Sequence, residues 1–149
     1  MLGRPLSARY ADYAPDFPER EHTRAQKAGL TFEKNVIKHL KNLHTRVVPG
    51  PWLYYQAGRK SGVCQPDALV WLDEKLLCIV ECKLSWVRDA RQKLLTFYGP
   101  ILQAIHPDVE LCYLQVYKNA RKGCHKRKLT LYELDKLTKG QYKECQALL

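Results

Sequence analysis

The sequence lacks three features that would each define a class of protein. It has no apolar run near the roughly 20 residues that a membrane-spanning helix needs, and residues 1–10 lack the apolar block of a secretory signal. None of its six cysteines forms a Cys-x-x-Cys pair, and Cys124 with His125 has no second ligand pair at zinc-finger spacing. We therefore expect buried, free thiols and a reducing compartment: the cytoplasm, or the host cytoplasm for a phage-encoded protein.

Acidic residues are also scarce relative to basic ones. The chain carries 15 Asp and Glu against 25 Lys and Arg, which gives a formal net charge of +10 and a pI near 9.4. This excess favours a polyanionic partner, with nucleic acid first and an anionic membrane second. A basic surface that serves only solubility is the alternative.

The 149 residues are enough for one domain. Residues 1–23 show no helical or strand period and predict an extended N-terminal arm, while residues 24–149 predict a domain with a basic C-terminal region. Apolar spacing predicts a helix from about residue 24 to 44, a strand at 52–56, a hairpin at 67–82, a helix at 87–105 broken by Pro100, and a strand at 109–117. Residues 58–62 read as a basic loop, 129–131 as a short strand and 132–149 as a helix. The order predicts a mixed α/β sandwich with a central sheet covered by helices.

The hairpin carries the strongest prediction about chemistry. A connection centred on Glu74 pairs residues whose numbers sum to 148, so Asp67 faces Glu81. Directly opposed residues have Cβ atoms roughly 4.5–5.5 Å apart, and two carboxylates at that distance repel each other unless a cation lies between them. Carboxylate oxygens suit Mg²⁺. Because side chains alternate along a strand, Lys83 projects from the same face as Glu81.

Charged residues at strand ends are common, so the acids alone do not require a site. Glu81, however, follows Leu76–Val80, a run that is apolar on both faces and is typical of a central strand. An acid at the end of such a strand is costly unless it binds something. A metal ion and Lys83 together would supply the activated water and the charge neutralisation that phosphodiester hydrolysis requires.

Pro66-Asp67, thirteen intervening residues and Glu81-Cys82-Lys83 resemble the motif of the PD-(D/E)XK nuclease superfamily. The resemblance implies a restriction-endonuclease-like fold with an αβββαβ core and a central mixed sheet flanked by helices. It also implies that Asp67, Glu81 and the backbone carbonyl of Cys82 bind Mg²⁺, with Mn²⁺ as a substitute, and that Lys83 assists the attacking water. Glu33 matches the position of a further acid on the first helix that contacts the metal. The alternative for Glu33 is a solvent-facing acid near a helix start.

Basic residues surround this motif in the sequence and predict contacts to the DNA backbone and its shape. They are Arg59, Lys60, Arg88, Arg91, Lys93, Lys118, Arg121, Lys122, Lys126, Arg127 and Lys128. The expected activity is that of a DNA endonuclease. Narrower expectations are a structure-selective, junction-resolving enzyme or a phage-encoded one. A homodimer is a further expectation, which the sequence leaves open. A catalytically inactive DNA- or protein-binding module and a ribonuclease are the alternatives.

Overall fold

A computed structural model describes residues 6–12, 14–16, 21–120, 134–147 and 149 of the chain. In chain order its elements are β1 (Leu6–Tyr10), α1 (Arg24–Leu43), β2 (Val47–Pro49), β3 (Leu53–Ala57), β4 (Lys60–Cys64), β5 (Ala68–Trp71), β6 (Leu76–Ser85), α2 (Asp89–Lys93), a π-helical turn (Leu94–Tyr98), α3 (Gly99–Ile105), β7 (Glu110–Asn119) and β8 (Tyr142–Gln146). The mixed α/β class predicted from the sequence is confirmed.

Helix α1 begins at a capping box. The Thr23 side chain accepts a hydrogen bond from the Gln26 backbone, and the Gln26 side chain accepts one from the Thr23 backbone. These bonds satisfy two backbone donors that the first helical turn leaves unpaired. The apolar spacing that predicts this helix comes from Phe32, Val36, Leu40 and Leu43, with Ile37 beside them, and the helix buries the first three. Within the described ranges, no helix is both long enough and apolar enough to cross a membrane.

The central sheet has the strand order β2-β5-β6-β7-β8. Strands β2, β5 and β6 are antiparallel neighbours, whereas β7 and β8 run parallel to β6. The β5–β6 hairpin pairs Ala68 with Val80 and Val70 with Cys78, so its residue numbers sum to 148 as predicted. The Asp73 carboxylate accepts hydrogen bonds from the backbone N–H groups of Lys75 and Leu76, at 2.7 and 2.8 Å. These bonds fix the turn and therefore the register of the hairpin.

Strand β6 is central, and both of its faces are buried. Cys78 and Val80 pack toward α1, whereas Leu77 and Ile79 pack toward the helical segment that follows the hairpin. The two apolar faces of this strand therefore belong to two separate cores, one on each side of the sheet. This arrangement explains the apolar run that precedes Glu81 in the sequence.

A second sheet has the order β1-β3-β4 and packs against the same core as α3. The strand predicted at residues 52–56 is β3, but it pairs with β1 and β4 and does not enter the central sheet. The neighbour of β5 is instead β2, whose three residues are too few to show a period. Pro49 is tolerated there because β2 is an edge strand. Most of the segment predicted as a basic loop at 58–62 forms the start of β4.

The helix after the hairpin is interrupted before Pro100, as predicted. The backbone N–H of Gly99 reaches back five residues to the Leu94 carbonyl, so residues 94–98 form a π-helical turn. Pro100 lacks an N–H group and its ring crowds the preceding turn, and the wider π turn accommodates both effects. A Cβ atom on Gly99 would lie 3.0 Å from the Tyr113 hydroxyl, so the glycine allows this turn to approach β7 closely.

The helix predicted at residues 132–149 is wrong beyond Asp135: of the described residues, Leu134 and Asp135 are helical and those that follow are not. Residues 142–146 form β8, which pairs with β7 from Tyr113–Tyr142 to Tyr117–Gln146. Pairing with a distant strand overrides the weak local helical preference of this segment. The predicted strand at 129–131, the Cys124–His125 pair and the basic residues from Arg121 to Lys128 lie outside the described residues. Of the described cysteines, all five are free and four are buried, as expected.

Candidate active site

The acidic residues of the predicted motif lie at one edge of the β5–β6 hairpin. Asp67 immediately precedes β5, and the ladder that pairs Ala68 with Val80 places it opposite Glu81 in β6. The Asp67 Oδ2 atom accepts a 2.6 Å hydrogen bond from the backbone N–H of Cys82. This bond fixes one oxygen of Asp67 beside β6. The expected opposition of the two acids is therefore present.

Glu81 is an acid in an unfavourable environment. Its exposure is only 4%, and its Oε2 atom is buried without a hydrogen-bond partner. Burial, followed by the charge of Asp67 and hydrogen bonding to it, raises the pKa of Glu81 to about 8. A buried carboxylate oxygen without a donor is costly, since it loses water and gains no bond. Such a group is suited to a cation that the protein itself does not supply.

Two lysines reach this carboxylate from different elements. Lys83 Nζ lies 3.8 Å from Glu81 Oε1, and Lys93 Nζ lies 3.9 Å from Glu81 Oε2. Both distances exceed that of a hydrogen bond, so the lysines attract the carboxylate without satisfying it. Lys93 also lies over the Tyr98 ring, 5.1 Å from its centroid. The sequence predicted Lys93 only as a DNA contact, because nothing in the local pattern links α2 to Glu81.

Glu33 contributes to the same electrostatic environment from α1. It is half-buried, and burial followed by the charge of Asp67 raises its pKa to about 7. Burial raises the pKa of the Cys82 thiol well above its usual range, and the charges of Asp67 and Glu33 add to this effect. The structure therefore brings Glu33, predicted from the first helix, within electrostatic reach of Asp67. Asp67 therefore acts electrostatically on both Glu33 and Glu81 at the hairpin edge.

The backbone around Asp67 is held by hydrogen bonds from residues outside the predicted catalytic set. The Gly50 N–H donates to the Asp67 carbonyl at 2.9 Å, and the Gln65 side-chain amide donates to the Gly50 carbonyl at 2.8 Å. The Tyr98 hydroxyl donates to the Gln65 carbonyl at 3.1 Å. These bonds join the loop after β2, the segment before β5 and the π-helical turn. Only the positive φ of Gly50, 46°, had a local signal, in the sequence Pro49-Gly50-Pro51.

The donor set can be compared with what a metal ion requires. Within the described part of the chain, no group of three or more His, Cys, Asp or Glu side chains is arranged to hold a metal ion. Mg²⁺ needs fewer protein ligands, because it keeps several waters and binds through one or two carboxylates. The pair Asp67 and Glu81, with the unsatisfied Oε2 atom, fits that requirement. The roles of Glu33 and of the Cys82 carbonyl as ligands stay predictions.

The predicted DNA-binding residues that the structure describes are not gathered in one place. Arg88, Arg91 and Lys93 lie on or just before α2 and are exposed. Arg59 and Lys60 lie at the tip of the β3–β4 hairpin. Lys60 is the first residue of β4 and Cys64 the last, so the two are about 14 Å apart along the strand. Lys118 is exposed near the end of β7. The remaining residues, Arg121, Lys122, Lys126, Arg127 and Lys128, are outside the described residues.

Comparisons with known proteins identify no relative. No protein-family model matches the chain, no curated protein matches it, and no solved structure matches it. The function must therefore be argued from the residues of the candidate site.

Proposed function

We propose that this chain is a magnesium-dependent deoxyribonuclease of the PD-(D/E)XK type, with Asp67, Glu81 and Lys83 at its active site. The observation that carries the proposal is the buried Glu81 carboxyl group. It lies beside a second acid, has an oxygen without a hydrogen-bond donor, and is flanked by two lysines. A structural ion pair would be expected to bond its lysine directly, which Glu81 does not do.

The order of elements supports this assignment. Helix α1 is followed by β2, β5 and β6 as antiparallel neighbours, then by the helical segment 89–105 and by β7 parallel to β6. That order is compatible with the αβββαβ core that the sequence motif implies, and it supports the proposal. Strands β3 and β4 are an insertion between the first two strands of this core. In such a core Asp67 would immediately precede the second strand and Glu81 would lie in the third, which supports the proposal.

The chemistry follows from the placement of the side chains. A bound Mg²⁺ would lower the pKa of a coordinated water and stabilise negative charge on the phosphoryl oxygens. Asp67 and Glu81 would hold the ion, and its binding would satisfy the Glu81 oxygen that now lacks a partner. The Lys83 ammonium group is placed to orient the water or to neutralise charge that develops on the phosphate. In the reaction, water attacks phosphorus, the P–O bond to one sugar breaks, and a phosphate end and a hydroxyl end are formed.

Lys93 provides a second positive charge at the same carboxylate. Its Nζ approaches Glu81 Oε2, whereas Lys83 approaches Oε1, so the two ammonium groups lie on different sides of Glu81. Its side chain is 44% exposed, against 32% for Lys83. Lys93 is therefore better placed to meet a phosphate that arrives from solvent, and Lys83 to act next to the metal.

The test is a cleavage assay on supercoiled plasmid DNA with Mg²⁺, with Mn²⁺ and with EDTA. We expect nicked or linear DNA only when a metal is present, which would also show that cleavage is internal. Asp67→Ala and Glu81→Ala should abolish cleavage and leave DNA binding largely intact. Lys139→Ala is the matched control, because its ammonium group pairs with Glu110 at the other end of the strands. Metal-independent cleavage, or full activity of both acid variants, would contradict the proposal.

Labelled RNA of the same sequence, digested in parallel, tests the alternative of a ribonuclease. Cleavage of RNA but not of DNA would reassign the substrate and leave the site unchanged. Calorimetric titration with Mg²⁺ tests the alternative of an inactive binding module. An inactive module does not need the ion, so it should show no Mg²⁺ binding that is lost in Asp67→Ala.

A further inference from the structure

A polar pocket is lined by residues of α2, of β8 and of the segment between β6 and α2. We propose that it binds an unpaired nucleotide base in a single-stranded part of the DNA substrate. The inference rests on the proposed function for its choice of DNA as the ligand. The pocket has a volume of about 480 Å³, within the range of small-molecule sites. Its lining includes Trp86, Arg88, Arg91, Leu95, Tyr142 and Glu144.

A fixed carboxylate forms the polar centre of the pocket. Glu144 Oε2 accepts hydrogen bonds from the Trp86 indole at 2.7 Å, from the Tyr142 hydroxyl at 2.6 Å and from the Gln115 amide at 3.2 Å. Three donors on one oxygen leave it no capacity for a ligand. Among the described residues, none donates to the other oxygen, Oε1. That oxygen is therefore the acceptor that the pocket offers to a ligand with an N–H group.

Gln115 makes this arrangement rigid. It is completely buried, and its amide oxygen and nitrogen bond the Val87 N–H and carbonyl at 3.0 and 3.1 Å. The two hydrogens of its amide nitrogen are shared among the Val87 carbonyl, the Tyr142 hydroxyl at 2.9 Å and Glu144 Oε2 at 3.2 Å. Gln115 thus ties the segment between β6 and α2 to β8, which places Trp86 next to Tyr142 and Glu144. A buried network that is this fully bonded fixes its members in one orientation.

The other walls supply aromatic surface and charges of both signs, from Arg88, Arg91 and Asp89. Trp86 and Tyr142 are each partly exposed in the pocket. The Arg91 guanidinium lies over the Tyr142 ring, 5.5 Å from its centroid, and Arg88 is exposed at the rim. A ligand that matches all of these groups has a flat aromatic body, an N–H donor for Glu144 and a negative charge for the arginines. A nucleotide has all three, whereas an acidic peptide or a simple anion lacks the flat, donating part.

The position of the pocket relative to Glu81 defines which nucleotide it would take. Glu81 is the register neighbour of Gln115, and Gln115 is the neighbour of Glu144, so the three project from one face of the sheet. Two strand spacings separate Glu81 from Glu144 by about 10 Å. A base in a duplex is stacked and paired, so only an unpaired base a few nucleotides from the cut could enter.

The test compares a blunt duplex with the same duplex bearing a single-stranded tail that contains 2-aminopurine. Binding is measured without metal, from the fluorescence of 2-aminopurine and from the anisotropy of a label on the duplex end. We expect the tailed DNA to bind more tightly, with a change in 2-aminopurine fluorescence as the base leaves water. Trp86→Ala should weaken binding of the tailed DNA by roughly 5- to 100-fold, as expected for the loss of one base–aromatic contact. Binding of the blunt duplex should change little.

Two further variants keep the test decisive if Trp86→Ala does not fold. Arg91→Ala changes an exposed side chain and should reduce the preference for tailed DNA, and Trp86→Phe keeps an aromatic ring and should retain most of it. Lys139→Ala removes one positive charge at the other end of the strands and should leave the preference unchanged. Equal binding of tailed and blunt DNA, or equal losses on both in every variant, would overturn the inference.

Cleavage of both substrates with Mg²⁺ separates this inference from the proposed function. If neither DNA is cleaved but the tail binds through Trp86, the nuclease proposal fails and the pocket assignment stands. If both are cleaved and Trp86→Ala and Arg91→Ala change neither the rate nor the preference, the pocket assignment fails and the nuclease proposal stands.

Discussion

Replacement of Glu81 by glutamine should stabilise the metal-free protein at alkaline pH. Glutamine has nearly the same shape as a protonated glutamate, but it cannot ionise. The pKa of Glu81 is raised to about 8 in the folded chain, from a reference value of 4.5. Between these two values the unfolded chain has lost the proton that the folded chain retains. The free energy of unfolding therefore falls as the pH rises from about 4.5 to 8.

The size of the effect follows from the shift. Each pKa unit corresponds to 1.36 kcal/mol, so the full shift corresponds to roughly 5 kcal/mol as an upper bound. Relaxation around an ionised Glu81 reduces this, and we expect Glu81→Gln to gain about 2–3 kcal/mol over the parent at pH 8.5. Near pH 4.5 the carboxyl group is protonated in the folded chain and about half protonated in the unfolded chain, so the two proteins should differ little in stability.

The assay is urea denaturation followed by circular dichroism, in EDTA, at several pH values from 4.5 to 8.5. Other groups titrate in this range, so the informative quantity is the difference between parent and variant. Glu33 acts in the same direction as Glu81, since its pKa is raised to about 7. His106 acts oppositely, because burial lowers its pKa and its contribution to stability is lost as the pH falls. Both contributions largely cancel in the difference.

Addition of Mg²⁺ extends the same experiment. An ion that binds ionised Glu81 should stabilise the parent more at pH 8.5 than at pH 5.5, and it should stabilise Glu81→Gln less at either pH. The reasoning is refuted if Glu81→Gln is less stable than the parent at pH 8.5. It is equally refuted if the difference between the two proteins does not change with pH.

Three further predictions concern catalysis and the loop that holds Asp67. Lys83→Ala should lower kcat by about 10²- to 10³-fold with little effect on DNA affinity, measured by steady-state kinetics and anisotropy. Gly50→Ala should lower the free energy of unfolding by about 1–2 kcal/mol, because φ is +46° there and the new Cβ would lie 2.9 Å from Gln65 Nε2. The control is Gly29→Ala on α1, where a Cβ meets open space. This variant should raise the free energy of unfolding by up to about 1 kcal/mol. Tyr98→Phe removes the hydroxyl that donates to the Gln65 carbonyl, so it should lower the free energy of unfolding by about 1 kcal/mol. It should also weaken Mg²⁺ binding measured by calorimetry. Unchanged Mg²⁺ binding would show that this hydrogen bond does not position Asp67.

Local patterns in the sequence determined the elements whose partners are close along the chain. The stripe Phe32, Val36 and Leu40 predicts α1, because a helical period depends only on nearby residues. The short turn at Asp73 sets the register of the β5–β6 hairpin, and the period of two along a strand then places Glu81 and Lys83 on one face. The opposed acids were predictable for this reason.

Pairing between distant segments was decided only by the tertiary structure. The segments Val47–Pro49 and Tyr142–Gln146 become strands because they pair with β5 and β7 and so form the two edges of the central sheet. Neither segment has a strong strand pattern of its own. The approach of Lys93 to Glu81, and of Tyr98 to the Asp67 loop, depends on how the helical segment packs on the sheet. The pocket at Glu144 needs β8 beside β7. Contacts of this kind join residues that lie many positions apart, so no periodic signal in the sequence records them.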